Sequence, residues 1–396
     1  MEGDFIKINK WLLPLSWFYG LAVKLRNTLF DIGVLKSRAY PLPVISVGNI
    51  TVGGTGKTPH VEYLVRLLQD HCRVAVLSRG YKRKSRGFLI ATKDTPMRQI
   101  GDEPFQMKQK FPTVTIAVDA KRCHGIDRLT TDDPALDVVL LDDAFQHRYV
   151  KPGINILLVD YHRLVIYDCL LPAGRLREPL KGKDRADIVI VTKCPKELKP
   201  MEYRVITKAM NLFPYQRLYF TTLHYDRLHP LFLEKAADGL PTDIHRLADL
   251  QVMLLTGIAS PEQLTHDLKP LCAGLTPLSF GDHHQFSRKD VALINDTFSQ
   301  LPQPRCIITT EKDSTRLLNI EELSDDVRSH LCVLPVRIAF MLEQEDTFNQ
   351  QITSYVFKNS KDSILLKGKK NSKPSQENSA KEGQDKPARI SFRDSK

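Results

Sequence analysis

The sequence predicts an α/β fold: a doubly wound parallel sheet followed by a second, smaller α/β domain. Short β-branched runs alternate with stretches of helical periodicity, as expected for a parallel sheet covered by helices. The chain of 396 residues is also too long for one ordinary core. The predicted strands form two sets, at 44–47, 74–78, 114–118, 138–141, 154–159 and 188–192, and then at 252–256, 275–280, 306–310 and 331–334.

Composition predicts four parts along the chain. Residues 1–38 form an N-terminal amphipathic region, 39–225 the larger domain, 226–360 the smaller domain and 361–396 a disordered basic tail. The boundary near residue 225 rests on the mixed, linker-like composition of 224–248. The tail is predicted from its content of Lys, Ser, Asn, Gln and Pro, which cannot build a packed core.

Charge and cysteine content narrow the possible partners. The net charge of +11 favours a partner that carries phosphates, whether nucleic acid, an anionic membrane or a phosphorylated substrate. About half of this surplus lies in residues 367–396, with nine Lys and Arg against four Asp and Glu. Nucleic acid is disfavoured, because the basic loop at 77–86 lacks a run of interleaved aromatic residues. The seven cysteines form no C-x-x-C pair, which argues against a disulfide framework or a zinc site.

An apolar helix is predicted close to the N-terminus. Its uncharged stretch, residues 11–23, is too short to cross about 30 Å of hydrocarbon. Tryptophans flanked by Lys and Arg favour a helix lying in a membrane interface, and a first helix packed on the core is the alternative. One apolar stripe follows a 4-3-4-3 spacing, through Phe18, Ala22, Leu25, Leu29 and Ile32.

A glycine-rich loop joins the first predicted strand to a predicted helix. Such a loop points backbone N–H groups at a polyphosphate, while its lysine reaches the β- and γ-phosphates and its threonine hydroxyl binds Mg²⁺. Pro59 suits the first turn of the helix that follows. The sequence therefore predicts a P-loop NTPase-type domain, although a threonine stands at position 51, where the full pattern has glycine. The loop consists of Thr51, Val52, Gly53, Gly54, Thr55, Gly56, Lys57 and Thr58.

Two pairs of carboxylates are candidates for work beside this loop. Asp142 and Asp143 end a predicted strand, where an aspartate of a P-loop domain holds Mg²⁺ or its water shell. Asp102 and Glu103 precede a helical run. They suit an ordinary helix start, or equally a base for an attacking hydroxyl with a metal ligand beside it.

Three further segments carry chemistry-bearing side chains. Arg122 follows a predicted strand at the sheet edge where doubly wound folds bind ligands. The loop at 170–179 is bounded by Pro and Gly and has an Arg-x-Arg-Glu core. A role in which an arginine contacts a transferring phosphate and a glutamate orients that arginine would explain this core. His283 and His284 follow a strand of the second domain, where zinc binding is rejected and acid/base work or helix capping is expected.

Together these stretches resemble the tetraacyldisaccharide 4'-kinases of lipid A biosynthesis in Gram-negative bacteria. The threonine at position 51 also resembles this family, which tolerates a residue other than glycine there. The chain departs from the family at Ala144, where glycine is expected, and at Arg175, where proline is expected. The resemblance extends from about residue 10 to residue 345 and rests on residues 48–49, 52–59, 77–80, 101–104, 142–143, 146–147, 171–174, 176–178, 282–283 and 310–313.

The resemblance implies a peripheral kinase on the cytoplasmic side of the inner membrane. The kinase would transfer the γ-phosphate of ATP to the 4'-hydroxyl of a tetraacyldisaccharide 1-phosphate, with ATP and Mg²⁺ as the implied cofactors. A membrane-surface NTPase acting as a nucleotide switch is the alternative. The P-loop alone fits both, whereas a switch has no need of the 170–179 loop or of an Asp–His pair.

The same resemblance implies a role for each matching residue. The base would be Asp102, paired with His283, for which His284 is a competitor. The implied catalytic residues are Asp102, His283, Lys57 and Arg177; the implied nucleotide-binding residues are Thr51, Val52, Gly53, Gly54, Thr55, Gly56, Lys57, Thr58 and Arg122; the implied metal-binding residues are Thr58, Glu103, Asp142 and Asp143.

Overall fold

The computed structural model describes residues 8–282 and 284–360. The predicted basic tail and His283 lie outside the described residues. Within them, eight strands run through the larger domain as far as residue 225, and a ninth strand of the same sheet lies much later in the chain. The nine are β1 (Val44–Gly48), β2 (Val74–Ser78), β3 (Leu89–Ile90), β4 (Thr115–Val118), β5 (Val138–Asp142), β6 (Ile154–Asp160), β7 (Ile188–Cys194), β8 (Arg217–Tyr225) and β14 (Val336–Phe340).

The large sheet is parallel at its centre and antiparallel only at its two edges. Its order is β14-β8-β7-β6-β1-β5-β2-β4-β3, with β3 and β14 running antiparallel to their neighbours. β1, β2 and β5 are buried along their whole length, as expected for strands covered on both faces. The strand order reverses at β1, so the loop after β1 opens into the crevice where such sheets bind ligands.

Helices cover both faces of this sheet, which confirms the doubly wound fold. One core layer contains apolar residues of the helices α2, α4 and α11. Two other clusters join the remaining apolar residues of the sheet to α6 and to α5. The helices outside the smaller domain are α1 (Leu13–Asp31), α2 (Lys57–Leu68), α3 (Met97–Ile100), α4 (Asp102–Lys110), α5 (Arg122–Asp132), α6 (Pro200–Met210) and α11 (Glu345–Asn359).

The smaller domain has its own sheet, in the order β11-β10-β12-β13-β9. Its central strands are parallel, and the short β9 pairs antiparallel with β13. Its elements are β9 (His229–Pro230), β10 (Gln251–Thr256), α7 (Glu262–Leu268), β11 (Gly274–Ser279), α8 (Arg288–Ser299), β12 (Arg305–Thr310), α9 (Glu311–Leu317), α10 (Asp325–His330) and β13 (Leu331–Leu334).

The predicted extent of the smaller domain, 226–360, is too long. After β13 the chain returns to the large sheet, where β14 pairs with β8 and covers the edge that β8 would otherwise expose. The apolar side of α11 then enters the core of the larger domain through Phe348, Ile352 and Val356. The C-terminal part of the described chain therefore belongs to the larger domain.

The helix α1 leaves much of its apolar surface uncovered. Trp11, just before the helix, is 93% exposed, and Trp17 and Phe18 are 79% and 74% exposed. Leu25 and Ile32 of the predicted stripe are exposed as well. None of the helices in the described part of the chain is both long enough and apolar enough to cross a membrane.

Candidate active site

The glycine-rich loop takes the conformation that its glycines permit. Gly53 and Gly56 have φ values of 117° and 78°, in the region that disfavours side chains. Gly56 is the residue before α2, which begins at Lys57. The N-terminus of α2 therefore opens onto the space inside the loop, where an anion is favoured.

Thr51 pairs the P-loop with the 170–179 loop. It is buried and forms an antiparallel bridge with Leu176 of the 170–179 loop. The N–H of Val52 donates to the carbonyl of Arg175 at 2.8 Å, and the N–H of Arg177 donates to the carbonyl of Ile50 at 2.7 Å. The pairing fixes the arginine-bearing loop against the P-loop.

Two arginines of the 170–179 loop lie beside the P-loop. Arg177 donates from Nη2 to the side-chain oxygen of Asn49 and, at 3.2 Å, to Oδ1 of Asp143. Arg175 was not expected to be a site residue, and its Nη1 lies 3.9 Å from the position that a Cβ on Gly53 would take. Two guanidinium groups therefore stand at the rim of the candidate phosphate site.

The expected role of Glu178 is wrong. Its carboxylate accepts hydrogen bonds from Arg185 at 2.9 and 3.0 Å and from Asn27 at 3.3 Å, and it does not orient Arg177. Arg177 is instead oriented by Asn49 and Asp143. Glu178 is buried, so it needs these partners to offset the loss of water around its charge.

Asp143 binds the two cations of the P-loop region. Its Oδ1 lies 3.5 Å from Nζ of Lys57 and 3.2 Å from Nη2 of Arg177. Burial alone would raise the pKa of Asp143, but Lys57 and Arg177 outweigh burial and lower this pKa. Asp143, with φ at 46°, makes the left-handed turn that follows β5. Ala144 is therefore tolerated, because the turn needs its positive φ one residue earlier.

Asp142 is a buried carboxylate with an unused acceptor. Its Oδ2 accepts a hydrogen bond from the Ser78 hydroxyl at 3.0 Å, while its Oδ1 is buried without a hydrogen-bond partner. Burial, followed by the charges of Glu103 and Asp143, raises the pKa of Asp142 to about 7. A cation would remove this cost, so the residues present fit a divalent ion.

The described residues hold no group of three or more His, Cys, Asp or Glu arranged for a metal ion. The free acceptor of Asp142 is of the kind that Mg²⁺ uses, since this ion binds proteins through one or two carboxylates and fills its remaining positions with water and substrate phosphates.

Arg122 lies behind the carboxylate turn. It is 2% exposed and donates from Nη1 to the carbonyl of Asp119 at 2.5 Å and from Nη2 to the carbonyl of Asp142 at 2.9 Å. Burial lowers its pKa to about 10. These bonds hold the backbone that carries Asp142, and the nucleotide contact of Arg122 stays a prediction.

Asp102 and Glu103 lie where the two domains meet. Both are in the first turn of α4, after Gly101, whose φ is 92°. The carboxylate of Asp102 is 2.7 Å from Nη2 of Arg316, and that of Glu103 is 3.6 Å from Nζ of Lys312. Both cations belong to α9 of the smaller domain, so the acidic pair faces that domain.

The same helix also contacts Asp282. Asp282, the residue before His283, lies 3.0 Å from Nζ of Lys312, which also approaches Glu103. His284 has a different environment: its Nε2 is 2.9 Å from Oδ2 of Asp290 at the start of α8. Hydrogen bonds from Ser287 and His284 lower the pKa of Asp290 to about 2. Ser287 and Asp290 form the capping box of α8, so His284 supports this cap through the Asp290 carboxylate.

A comparison with known protein families identifies the family. The model described as tetraacyldisaccharide-1-P 4'-kinase matches residues 8–356. The chain belongs to this family. The family, fold class and kinase class expected from the sequence are thereby confirmed, and the nucleotide-switch alternative is not supported.

Individual relatives of the family agree. The tetraacyldisaccharide 4'-kinase of Phocaeicola vulgatus is 58% identical, over 92% of this chain and 99% of its own length. That of Flavobacterium johnsoniae is 43% identical, over 89% of this chain and 98% of its own length. The crystal structure of LpxK from Aquifex aeolicus in complex with ATP has 31% identity and a TM-score of 0.66, covering 88% of this chain and 99% of that one.

Proposed function

We propose that this chain transfers the γ-phosphate of ATP to the 4'-hydroxyl of a tetraacyldisaccharide 1-phosphate, giving the bis-phosphorylated precursor of lipid A. The observation that carries the proposal is electrostatic: after burial, the charge of Glu103, the residue next to Asp102, raises the pKa of Asp142, which supports two half-sites that lie close together. The P-loop with Lys57, Asp143 and Arg177 supplies the donor side. Asp102, at the junction with the smaller domain, supplies the acceptor side.

The donor side works by electrostatic stabilisation. The backbone N–H groups of residues 51–58 cradle the phosphates of ATP, as the resemblance implies. Lys57 and Arg177 are held by Asp143 in the structure, so two positive charges are already at the site before a phosphate enters. Preorganised charges of this kind stabilise the charge of a transferring phosphoryl group without reorganisation during the reaction.

The residues that would hold Mg²⁺ are Thr58, Glu103, Asp142 and Asp143. The buried, unpartnered Oδ1 of Asp142 is the strongest support for this assignment. When bound, the ion would neutralise charge on the β- and γ-phosphates. Glu103 also lies 3.6 Å from Lys312 of the smaller domain, and its nearness to Asp142 is supported by its charge, which after burial raises the pKa of Asp142.

On the acceptor side, Asp102 is the base. Its carboxylate takes the proton of the sugar hydroxyl as the hydroxyl oxygen attacks the γ-phosphorus. His283, which lies outside the described residues, is paired with Asp102 in the mechanism that the resemblance implies. Docking of the smaller domain on α4 excludes water, which would otherwise compete with the hydroxyl for the phosphoryl group.

The exposed apolar face of α1 lies in the interface of the membrane that holds the lipid substrate. Its aromatic residues suit the headgroup level, and flanking Lys and Arg suit anionic lipids. The helix is also tied to the active-site loop, because the hydroxyl of Tyr19 donates to the carbonyl of Arg177 at 2.7 Å and Ser16 donates to that of Leu170 at 3.0 Å. Because ATP is cytosolic, the enzyme acts on the cytoplasmic leaflet of the inner membrane.

Replacement of the base tests this assignment. Asp102→Asn is expected to lower kcat by ~10²–10⁴-fold, the usual contribution of a positioned general base, with little change in ATP affinity. Asp325→Asn is the matched control, since Asp325 also lies in the first turn of a helix and pairs with a lysine. Equal turnover of the Asp102 variant and wild type would overturn the assignment of the base.

A further inference from the structure

The helix α9 of the smaller domain meets α4 of the larger domain through three ion pairs. Glu311 lies 2.6 Å from Nζ of Lys110, Lys312 lies 3.6 Å from Glu103, and Nη2 of Arg316 lies 2.7 Å from Asp102. The contact between the two domains is therefore charged along this helix pair. One of its three pairs involves the residue assigned above as the base.

Arg316 differs from the other two cations in how firmly it is held. Its side chain is 3% exposed, whereas those of Lys110 and Lys312 are 21% and 17% exposed. Its Nη1 donates to Oδ1 of Asp313 at 2.9 Å and to the carbonyl of Gly257 at 3.3 Å. The planar guanidinium thus has partners in its own domain, and its Nε donates to Oδ2 of Asp102 at 2.9 Å, with Nη2 2.7 Å from the same oxygen.

Asp313 makes this orientation rigid. It is buried, accepts a hydrogen bond from the N–H of Gly257 at 2.9 Å, and accepts another from the Thr310 hydroxyl at 2.7 Å. The chain from Gly257 through Asp313 to Arg316 lies wholly within the smaller domain. It ends on a carboxylate of the larger domain, which Arg316 reaches only when the two domains are docked.

We propose that Arg316 is a positioning residue for Asp102. It holds the carboxylate of the base in its working orientation when the smaller domain is docked on α4, so domain docking and the assembly of a competent base are one event. This inference rests on the proposed role of Asp102 as the base. Lys110 and Glu311 contribute to docking without touching the base.

The test compares full-length variants in the lipid kinase assay. Arg316→Ala is expected to lower kcat by ~10²-fold with KM for ATP nearly unchanged, because a displaced base slows only the chemical step. Added guanidinium ion, kept below unfolding concentrations, is expected to restore ~10-fold by occupying the vacated space. Arg316→Lys keeps the charge without the fork and is expected to lose ~10-fold. Glu311→Gln, which removes the neighbouring ion pair, is expected to lose less than ~3-fold.

A double variant separates positioning from general stability. If Arg316 acts through Asp102, then adding Arg316→Ala to Asp102→Asn costs no further activity, because residues that act as a unit are not additive. Full additivity, or an Arg316→Ala loss that equals the Glu311→Gln loss and is not rescued by guanidinium, would overturn the inference. If Asp102→Asn lowers kcat by ~10²–10⁴-fold as expected, those results would overturn the role of Arg316 alone. An active Asp102→Asn enzyme would overturn the base assignment itself.

Discussion

Replacing Asp142 by Asn is expected to stabilise the nucleotide-free protein while destroying its activity. Burial and the charges of Glu103 and Asp143 raise the pKa of Asp142 from 3.8 to about 7. At ~1.4 kcal/mol per pKa unit, a shift of about three units corresponds to ~4 kcal/mol of folded-state destabilisation once the carboxylate is ionised. Asn keeps a similar shape and an oxygen for the Ser78 hydroxyl, and it carries no charge.

The sign of this effect depends on pH. Between pH 4 and pH 7 the folded state holds the proton of Asp142 more tightly than the unfolded state, so wild-type stability from this group falls as pH rises through that window. Asp142→Asn is therefore expected to match wild type at pH 4. At pH 8 its melting temperature is expected to be higher by ~8 °C, at ~2 °C per kcal/mol.

The assay is thermal unfolding of both proteins across this pH range without nucleotide. Asp143→Asn is the matched control, and the opposite sign is expected, because the pKa of Asp143 is lowered and its charge stabilises the folded state at pH 8. An Asp142→Asn protein no more stable than wild type at pH 8 would refute the argument that this carboxylate is held ready for a cation.

Three further predictions follow from the described contacts. The double change Trp17→Ser and Phe18→Ser removes ~300 Å² of exposed aromatic surface. If half of that area enters the membrane, the loss of binding free energy is ~4 kcal/mol at ~25 cal/mol per Å², so sedimentation is expected to show ~100- to 1,000-fold weaker binding to anionic vesicles. Tyr19→Phe removes the bond to the carbonyl of Arg177 and is expected to lower kcat ~5-fold in lipid transfer. Burial lowers the pKa of His60 to about 4, so the free energy of unfolding falls as pH falls from 6.5 to 4. His60→Asn is expected to reduce this fall by ~3 kcal/mol, measured by denaturant unfolding.

The first two predictions have a control elsewhere on the surface. Leu233→Ser, at a residue that is 79% exposed in the smaller domain, should leave vesicle binding unchanged. Tyr167→Phe, at another exposed tyrosine, should leave kcat unchanged. Equal effects in a variant and its control would contradict the corresponding contact.

The sequence predicts the buried strands well and the edges of the large sheet poorly. All ten predicted strands are present, and most of them are buried on both faces, where a strand is a continuous run of apolar residues. β8 and β14 were missed because their burial is uneven, so neither has a continuous apolar run. Which sheet β14 joins is decided by long-range packing of β8 and α11, and no local pattern encodes this choice.

Site residues that belong to a local motif are predicted from the sequence, whereas roles that depend on distant partners are not. Lys57 and Asp143 follow from a local motif, and the structure brings them within 3.5 Å of each other. The roles of Glu178 and Arg316 depend on partners far away in the chain, such as Asn27 and Asp102. An arginine in a helix after a strand has the same local pattern whether it faces solvent or a base across a domain junction. Only the packing of α9 on α4 distinguishes these two environments.

The most direct test of the central claim follows the labelled γ-phosphate of ATP in the presence of purified disaccharide 1-phosphate in detergent. We predict that label moves to the 4'-position of the lipid, that transfer greatly exceeds hydrolysis, and that Asp102→Asn lowers the rate of transfer by ~10²–10⁴-fold while ATP still binds. ATP hydrolysis without labelled lipid would contradict the account, because the crevice would then activate water instead of a sugar hydroxyl.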